Sequence, residues 1–203
     1  MTKDQFINYP ALSASRIKKF YSEDPTAAQL FAFKNGASFH DQLLEHSIDE
    51  MDQEALNVYK AIMLHPVASR ILDGAQKELP AIKMLLLCGH EITAKCCYDI
   101  YNEKLKVVAD IKTTSAKDLN TFKADMIKHN NHIQAVWYSL IAGIDPMNFF
   151  YIGVNAKSKK MGATEDDIFI YRHTDEEIFA AKELINNYIN SEWEIVKPLL
   201  GKK

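Results

Sequence analysis

Apolar residues recur at helical spacing through the first third of the chain and give way to strand-like runs in the middle. Ser13 to Phe20 reads as a short helix whose first turn Ser13 or Ser15 can cap. A second helix starts at Pro25 and runs to about Lys34. Gly36 separates it from a third, Ser38 to about Ser47, which gathers Phe39, Leu43 and Leu44 on one side. Glu54 to Leu64 is amphipathic and Val67 to Leu72 adds a short helix, so the N-terminal third is predicted to be helical.

Ile82 to Cys88 is an apolar run of strand length, Glu91 to Ile100 alternates, and Leu105 to Lys112 is the clearest strand in the chain. Asn102-Glu103-Lys104 fits a hairpin turn between the last two, although it lacks glycine. Ala116 to about Lys128 and His132 to Ala142 read as helices, the second stopped by Gly143. Phe149 to Val154 and Asp167 to Tyr171 are strands around a loop containing Lys and Gly. Thr174 and Glu177 make a capping box before a long helix to about Lys197. Helices, a small antiparallel meander, helices, strands and a final helix predict an α+β or mixed α/β fold with one central sheet flanked by helices. No repeat, linker or low-complexity stretch interrupts it. The expected organisation is one domain over residues 1–203, with a helical N-terminal part at 1–75 and a sheet core with flanking helices at 80–203.

Composition narrows the class. Hydrophobic residues are 47% of the 203, enough for one sizeable core. No apolar run approaches the roughly 18 residues of a membrane span, and the opening Met1-Thr2-Lys3-Asp4-Gln5 has no signal-peptide apolar region. A cytoplasmic protein with no membrane partner is expected. Cys88, Cys96 and Cys97 are too few and too crowded for a disulfide framework or a four-cysteine metal knuckle, and read as buried free thiols on strands. A net charge of −3 and a pI of about 6.2 do not describe a uniformly basic nucleic-acid binder, because phosphate contact needs local positive charge. Basic residues still cluster at Arg16-Ile-Lys18-Lys19 and Lys157-Ser-Lys159-Lys160, runs that on their own read as solvated faces.

The candidate chemistry lies on the central hairpin. Asp99 and Asp110 fall at facing ends of adjacent strands, and side-chain alternation puts Asp110 and Lys112 on one face. Two carboxylates from neighbouring strands suit a hard divalent cation such as Mg²⁺, which prefers oxygen ligands and keeps several waters. A lysine beside them can orient or deprotonate a water and offset charge on a phosphorane-like transition state, while the cation supplies Lewis acidity. Together these are the parts needed to hydrolyse a phosphodiester. Asp110-Ile-Lys112 is the only acid-x-lysine tripeptide in the chain. Its plainer reading is an edge-strand salt bridge worth about 0–1 kcal/mol. Glu91 shares the strand parity of Asp99 and is the candidate ligand for a second metal; Glu45 is a weaker one.

Other positions form an ordered set with these residues. Gly36-Ala-Ser-Phe-His40 opens a helix, and Gln134 and Tyr138 are four apart on a later one, hence on one face. Leu12-Ser-Ala-Ser-Arg16-Ile-Lys18 with Asp24-Pro25, then Gly-x-x-x-His40, Asp99, Val107-Val-Ala-Asp-Ile-Lys-Thr-Thr114 and Gln134-x-x-x-Tyr138 run in order over about residues 10 to 155. This set resembles the RecB-like branch of the PD-(D/E)xK nuclease superfamily, and within it the RecE-type (exonuclease VIII) and phage recombination exonucleases. The resemblance implies a restriction-endonuclease-like core with a central mixed sheet. It implies His40, Asp99, Asp110 and the backbone carbonyl of Ile111 as metal ligands and Lys112 as the catalytic lysine. Gln134 and Tyr138 would line the site and contact the substrate backbone, and Ser15, with Arg16, would lie where a terminal 5′-phosphate is held. It further implies Mg²⁺, with Mn²⁺ as a substitute, and 5′→3′ exonuclease action on linear double-stranded DNA. The partners it implies are further copies of the chain, in a ring trimer or tetramer, and a single-strand annealing protein in phage or prophage recombination.

The core motif fits two rivals, an endonuclease of the same superfamily and a catalytically silent DNA-binding module; retention of both aspartates and Lys112 speaks against the second. The loop after Asp99 lacks the proline or arginine often found near this motif, and with only Arg16, Arg70 and Arg172 in the chain any grip on DNA rests on lysine. No four cysteines bracket the domain, which excludes the iron–sulfur subgroup. His46, His90, His129, His132 and His173 read as ordinary residues, and Tyr98, Phe122 and Trp137 as core.

Overall fold

The alternating middle of the chain becomes the central sheet. The structure, a computed structural model, describes residues 2–155 and 164–199. Strands β2 (Gln76–Leu87) and β3 (His90–Asn102) form a long antiparallel hairpin. Its turn is Cys88-Gly89, with φ of 51° and 78°, the left-handed geometry whose twist matches that of the flanking strands. β4 (Val107–Thr114) returns antiparallel to β3, β5 (Phe149–Asn155) lies parallel to β4, and β6 (Ile168–Tyr171) is antiparallel to β5. A two-residue strand, β1 (Leu12–Ser13), pairs in parallel with Ala94 and Lys95. β2 occupies one edge of β3, so β1 and β4 share the other. The result is a six-stranded mixed sheet.

Helices cover both faces. On one, α2 (Ala14–Phe20), α6 (Leu119–Lys128), α7 (Asn131–Ala142) and α8 (Asp175–Ser191) bring Ile17, Phe122, Ile133, Trp137 and Ile185 against Ile92, Val108 and Tyr151. On the other, α3 (Ala27–Glu45), α4 (Gln53–Leu64) and α5 (Pro66–Leu72) bring Phe39, Leu43, Val58, Ile62 and Ile71 against Ile100, Ala109, Ile111 and Ile152. Tyr98, Phe122 and Trp137 are core residues, as the sequence indicates. Gly153 on β5 is needed for close approach, because a Cβ there would lie 2.7 Å from the Phe122 ring. Gly143 ends α7 at φ 72°, a conformation that favours glycine. Among the described residues no helix is long and apolar enough to cross a membrane.

Several boundaries differ from the sequence reading, each for an identifiable reason. The two helices expected on either side of Gly36 are one, α3. A helical glycine costs about 1 kcal/mol relative to alanine, and burial of Phe39, Leu43 and Leu44 outweighs it. β2 begins at Gln76, six residues before the expected Ile82; Pro80 is tolerated because the outer edge of β2 carries no other strand among the described residues. The β3–β4 turn dispenses with glycine because Asn102 organises it. Its Nδ2 donates to the carbonyls of Ile71 and Asp73, and its Oδ1 accepts from Leu105 N. The last helix breaks at Glu192 and resumes as α9 (Trp193–Val196), where Trp193 stacks on His90. Cys88 is exposed in the hairpin turn, not buried on a strand. An unforeseen helix, α1 (Lys3–Ile7), is tied to the sheet by Lys95, whose ammonium donates to the carbonyls of Phe6, Ile7 and Tyr9. The Lys157–Lys160 run lies outside the described residues.

Candidate functional site

A fault in the alternation of β3 creates the site. Ile92, Ala94, Cys96 and Tyr98 all face the α7 side, as period-two geometry requires. Ile100 faces the α3–α5 side instead, so the alternation slips by one at Asp99. Across the hairpin stands Glu78, held at φ 48° between Lys77 and Leu79, which pair with Ile100 and Tyr98. Pairing of β3 with β4 reaches only as far as Ile100 opposite Ala109. Beyond that pair, Asp99 uses its side chain in place of a backbone ladder: its Oδ2 accepts from Ile111 N at 2.9 Å. Two acids, Asp99 and Asp110, thus meet at the point where the strands part.

The elements around this gap deliver further groups. From α3, His40 places Nε2 2.7 Å from Asp99 Oδ2 and Nδ1 3.6 Å from Glu78 Oε1. From α7, Gln134 Nε2 donates to Asp110 Oδ1. From β4, Lys112 Nζ lies 2.7 Å from Asp110 Oδ2 as an ion pair, without the alignment of a hydrogen bond. Asp110 is only 2% exposed. Burial and the neighbouring Asp99 charge push its pKa up, and Lys112 opposes them. Burial alone would lower Lys112, but Asp110 and Asp99 outweigh it and hold the group as an ammonium ion. Burial would likewise lower His40; the hydrogen bond and charge of Asp99, with Asp110 and Glu78, raise it. Glu78 is raised by burial and then by the Asp99 charge.

Tyr138, one turn from Gln134, makes edge contacts with Tyr98 and Phe149. It also borders a cavity of about 140 Å³ lined by Ser13, Ser15, Lys18, Lys95 and Gln134. Lys18 donates to Asn131 Oδ1 at 2.6 Å. Its pKa is lowered to about 8 by burial and by the Lys112 charge, against the pull of Asp110. The cavity therefore adjoins the acid cluster, with Gln134 common to both. A larger hollow, about 390 Å³, lies at β6 and the start of α5 and includes none of these groups.

The structure brings together His40, Asp99, Asp110, the Ile111 backbone, Lys112, Gln134 and Tyr138, and puts Ser15 on the adjoining cavity. It does not bring Glu91 or Arg16. Glu91 is exposed, opposite Leu86, eight residues along β3 from Asp99 and so roughly 26 Å away at the strand rise. Arg16 is exposed on α2; Lys18, three residues after Ser15, is the α2 cation on the cavity face. Two groups went unread in the sequence. Glu78 lies before the strand expected at Ile82, although extending the hairpin register backwards sets it opposite Asp99. Lys18 belongs to the Arg16–Lys19 run that reads as a solvated face, although its spacing from Ser15 marks a shared helix face.

Carboxylates on adjacent strands and a histidine from the helical layer are groups that could hold a divalent metal ion, and a lysine paired with the buried carboxylate stands beside them. The chain belongs to the family described as the PDDEXK-like domain of unknown function (DUF3799), whose model matches residues 7–159. Among solved structures it is similar to a candidate exonuclease from Eubacterium rectale, with 18% identity, 99% of this chain and 88% of the other covered, and a TM-score of 0.64. That likeness supports the fold, the mixed sheet flanked by helices of the PDDEXK-like type. A phage-related exonuclease from Haemophilus somnus 129PT is more distant, at 14% identity, coverage of 91% and 97%, and a TM-score of 0.41. No curated protein sequence matches the chain.

Proposed function

We propose that this chain is a divalent-metal-dependent deoxyribonuclease that hydrolyses linear double-stranded DNA from its ends, 5′→3′. The observation that carries the reading is the split between β3 and β4, where Asp99 and the buried Asp110–Lys112 pair converge. Those groups fit a hard cation: Asp110 has one oxygen held by Gln134 and the other without an aligned donor. Asp99, Asp110 and the Ile111 carbonyl would hold Mg²⁺, with Mn²⁺ as a substitute. The cation, when bound, supplies Lewis acidity and makes a water more acidic. Lys112, beside Asp110, would orient the attacking water and offset charge gathering on the phosphoryl oxygens. Gln134 fixes the orientation of Asp110, and Tyr138 walls the approach to it.

End-directed action is favoured by the adjoining cavity. Ser13, Ser15 and Lys18 offer hydroxyl and ammonium donors of the kind a terminal phosphate takes, and Lys95, whose own donors are held by the α1 carbonyls, adds positive charge. The structurally similar protein of Eubacterium rectale, described as a candidate exonuclease, is consistent with this. The ring of copies and the annealing partner in phage-type recombination belong to the same proposal, and a purely monomeric species in sedimentation would remove the ring. The test of the function is a pair of substrates incubated with purified protein and Mg²⁺. The expected result is loss of 5′-phosphorylated linear duplex while covalently closed circles survive. Cleavage of the circles would replace the exonuclease with an endonuclease.

A further inference from the structure

We propose that Asn131 is a positioning residue for end recognition: it holds the Lys18 ammonium in place without cancelling its charge, ready for the terminal phosphate of the DNA. The inference rests on the end-directed reading and deepens it. Lys18 Nζ donates to Asn131 Oδ1 at 2.6 Å. Only the amide oxygen of an asparagine can face an ammonium, because Nδ2 and Nζ are both donors, so this contact fixes which way the amide points. Asn131 is the first residue of α7 and is buried. Its Nδ2 donates to Met126 Sδ at 3.4 Å, and its carbonyl accepts from the Tyr151 hydroxyl at 2.7 Å. Tyr151 stands beside Asp110 in the β4–β5 register. Gln134, three residues after Asn131 and on the same face of α7, holds Asp110 Oδ1. The first turns of α7 therefore tie the cavity's cation and the buried carboxylate of the acid cluster to one rigid element.

The neutrality of the partner supplies an independent argument. Lys112 is paired with Asp110 and Lys3 with Glu45, whereas among the described residues no carboxylate is ion-paired to Lys18. A lysine that served only to pin α2 onto α7 would be matched best by a carboxylate, since a buried charge is costly unless it is paired. Here burial and the Lys112 charge lower Lys18 to about 8, against the pull of Asp110. An anion entering the cavity would relieve that penalty. The ammonium has three donors, and the bond to Asn131 uses one. Ser13 Oγ and Ser15 Oγ lie 2.9 Å apart on the cavity wall; one hydroxyl donates to the other, which leaves the second hydrogen free to turn to a ligand. A terminal phosphate carries about −1.5 to −2 near neutral pH, and a 5′-hydroxyl end brings no such charge. The uncancelled cation thus distinguishes the two ends.

The test is binding of the full-length protein, in EDTA, to one short fluorescent duplex prepared with 5′-phosphate or with 5′-hydroxyl ends, followed by anisotropy. The readout is the ratio of the two dissociation constants on the same protein, which a general loss of stability does not move. Wild type is expected to favour the phosphorylated duplex by about tenfold or more. Asn131→Ala should lose most of that ratio, because Lys18 is no longer held. Asn131→Asp is the deciding variant. It accepts the same bond from Lys18, and an acid suits the first turn of a helix, but it cancels the charge, so the ratio should fall towards one. A purely structural Asn131 would be replaced by Asp with the ratio intact, and that result overturns the proposal. Thermal melts identify a variant that fails to fold. Lys18→Gln, which can still donate to Asn131 but carries no charge, then stands in and should also abolish the ratio. Equal binding of both ends by wild type would overturn the end-directed reading together with this inference, whereas a wild-type preference that survives in Asn131→Asp or Lys18→Gln sinks this inference alone.

Discussion

Two histidine–carboxylate clusters in this molecule behave in opposite ways. At His40, Glu78, Asp99 and Asp110 act on a single imidazole, and their charges raise its pKa despite burial. At His132 and His173, whose rings lie 6.0 Å apart, Glu177 is the only carboxylate hydrogen-bonded to either ring among the described residues. That carboxylate is already committed: its Oε2 accepts from the Tyr171 hydroxyl and from Thr174 N. Burial therefore wins. His132 is lowered to about 4, by burial first and then by His173, and His173 is lowered by burial against the pull of Glu177. His132 Nδ1 and His173 Nε2 have no hydrogen-bond partner. Residue types alone do not define a site; the ratio of acid to base does. The first cluster gathers three carboxylates around one imidazole, whereas in the second the two imidazoles are uncharged parts of the packing beside a single ionised carboxylate.

The sharpest way to break the comparison is to disable one cluster and then the other. Asp110→Asn should lower degradation of linear duplex by about 10²–10⁴-fold, read as release of acid-soluble nucleotide in Mg²⁺. A rate within a few-fold of wild type would put the chemistry elsewhere. Next in size is Gly153→Ala on β5, beside Lys112 in the sheet register. Its Cβ meets Phe122 at 2.7 Å, and such overpacking costs about 1–3 kcal/mol. The melting temperature should fall and partly recover when Phe122→Leu is added.

The two clusters should also respond to pH with opposite sign. The pKa of His132 in the folded state lies below its ordinary 6.5, at about 4, so the unfolded chain binds more protons between those values. Its contribution to stability is complete above pH 6.5 and is lost as pH falls through about 4; His132→Leu should flatten that part of the melting-temperature profile. His40 is raised, so in the metal-free protein its contribution is complete below pH 6.5 and is lost as pH rises through the folded value. His40→Ala should flatten the opposite limb, and equal slopes in variant and wild type would dissolve the contrast. The smallest effect is expected from Glu177→Gln, which disturbs the capping box of α8. It should cost roughly 1 kcal/mol in a denaturant titration and leave the nuclease rate unchanged.

What was legible in the sequence was whatever depended on local periodicity. Asp110 and Lys112 share a face because a regular strand alternates, and Gln134 and Tyr138 share one because a regular helix turns in 3.6 residues. The Thr174–Glu177 capping box and the stop at Gly143 are equally local. Illegible was what depends on departures from regularity. The slip at Asp99 and the left-handed Glu78 have no signature in an alternating pattern, and so Glu91, which has the right parity on an unbroken strand, took the place that Glu78 holds. The strand expected from Ile82 begins at Gln76, and the edge position that lets β2 run through Pro80 is a property of the sheet. The inward turn of Lys18 depends on Asn131, 113 residues away, a contact that no local window contains.

The central claim is that Lys112, beside Asp110, makes this chain a nuclease, and one assay reads it most directly. Purified wild type and Lys112→Ala, matched for melting temperature, are incubated with linear duplex DNA and Mg²⁺. Wild type is expected to degrade the duplex and to stop when EDTA is added, and Lys112→Ala to be at least about 100-fold slower. Equal rates in the two proteins, or no degradation by wild type with either Mg²⁺ or Mn²⁺, would contradict the account.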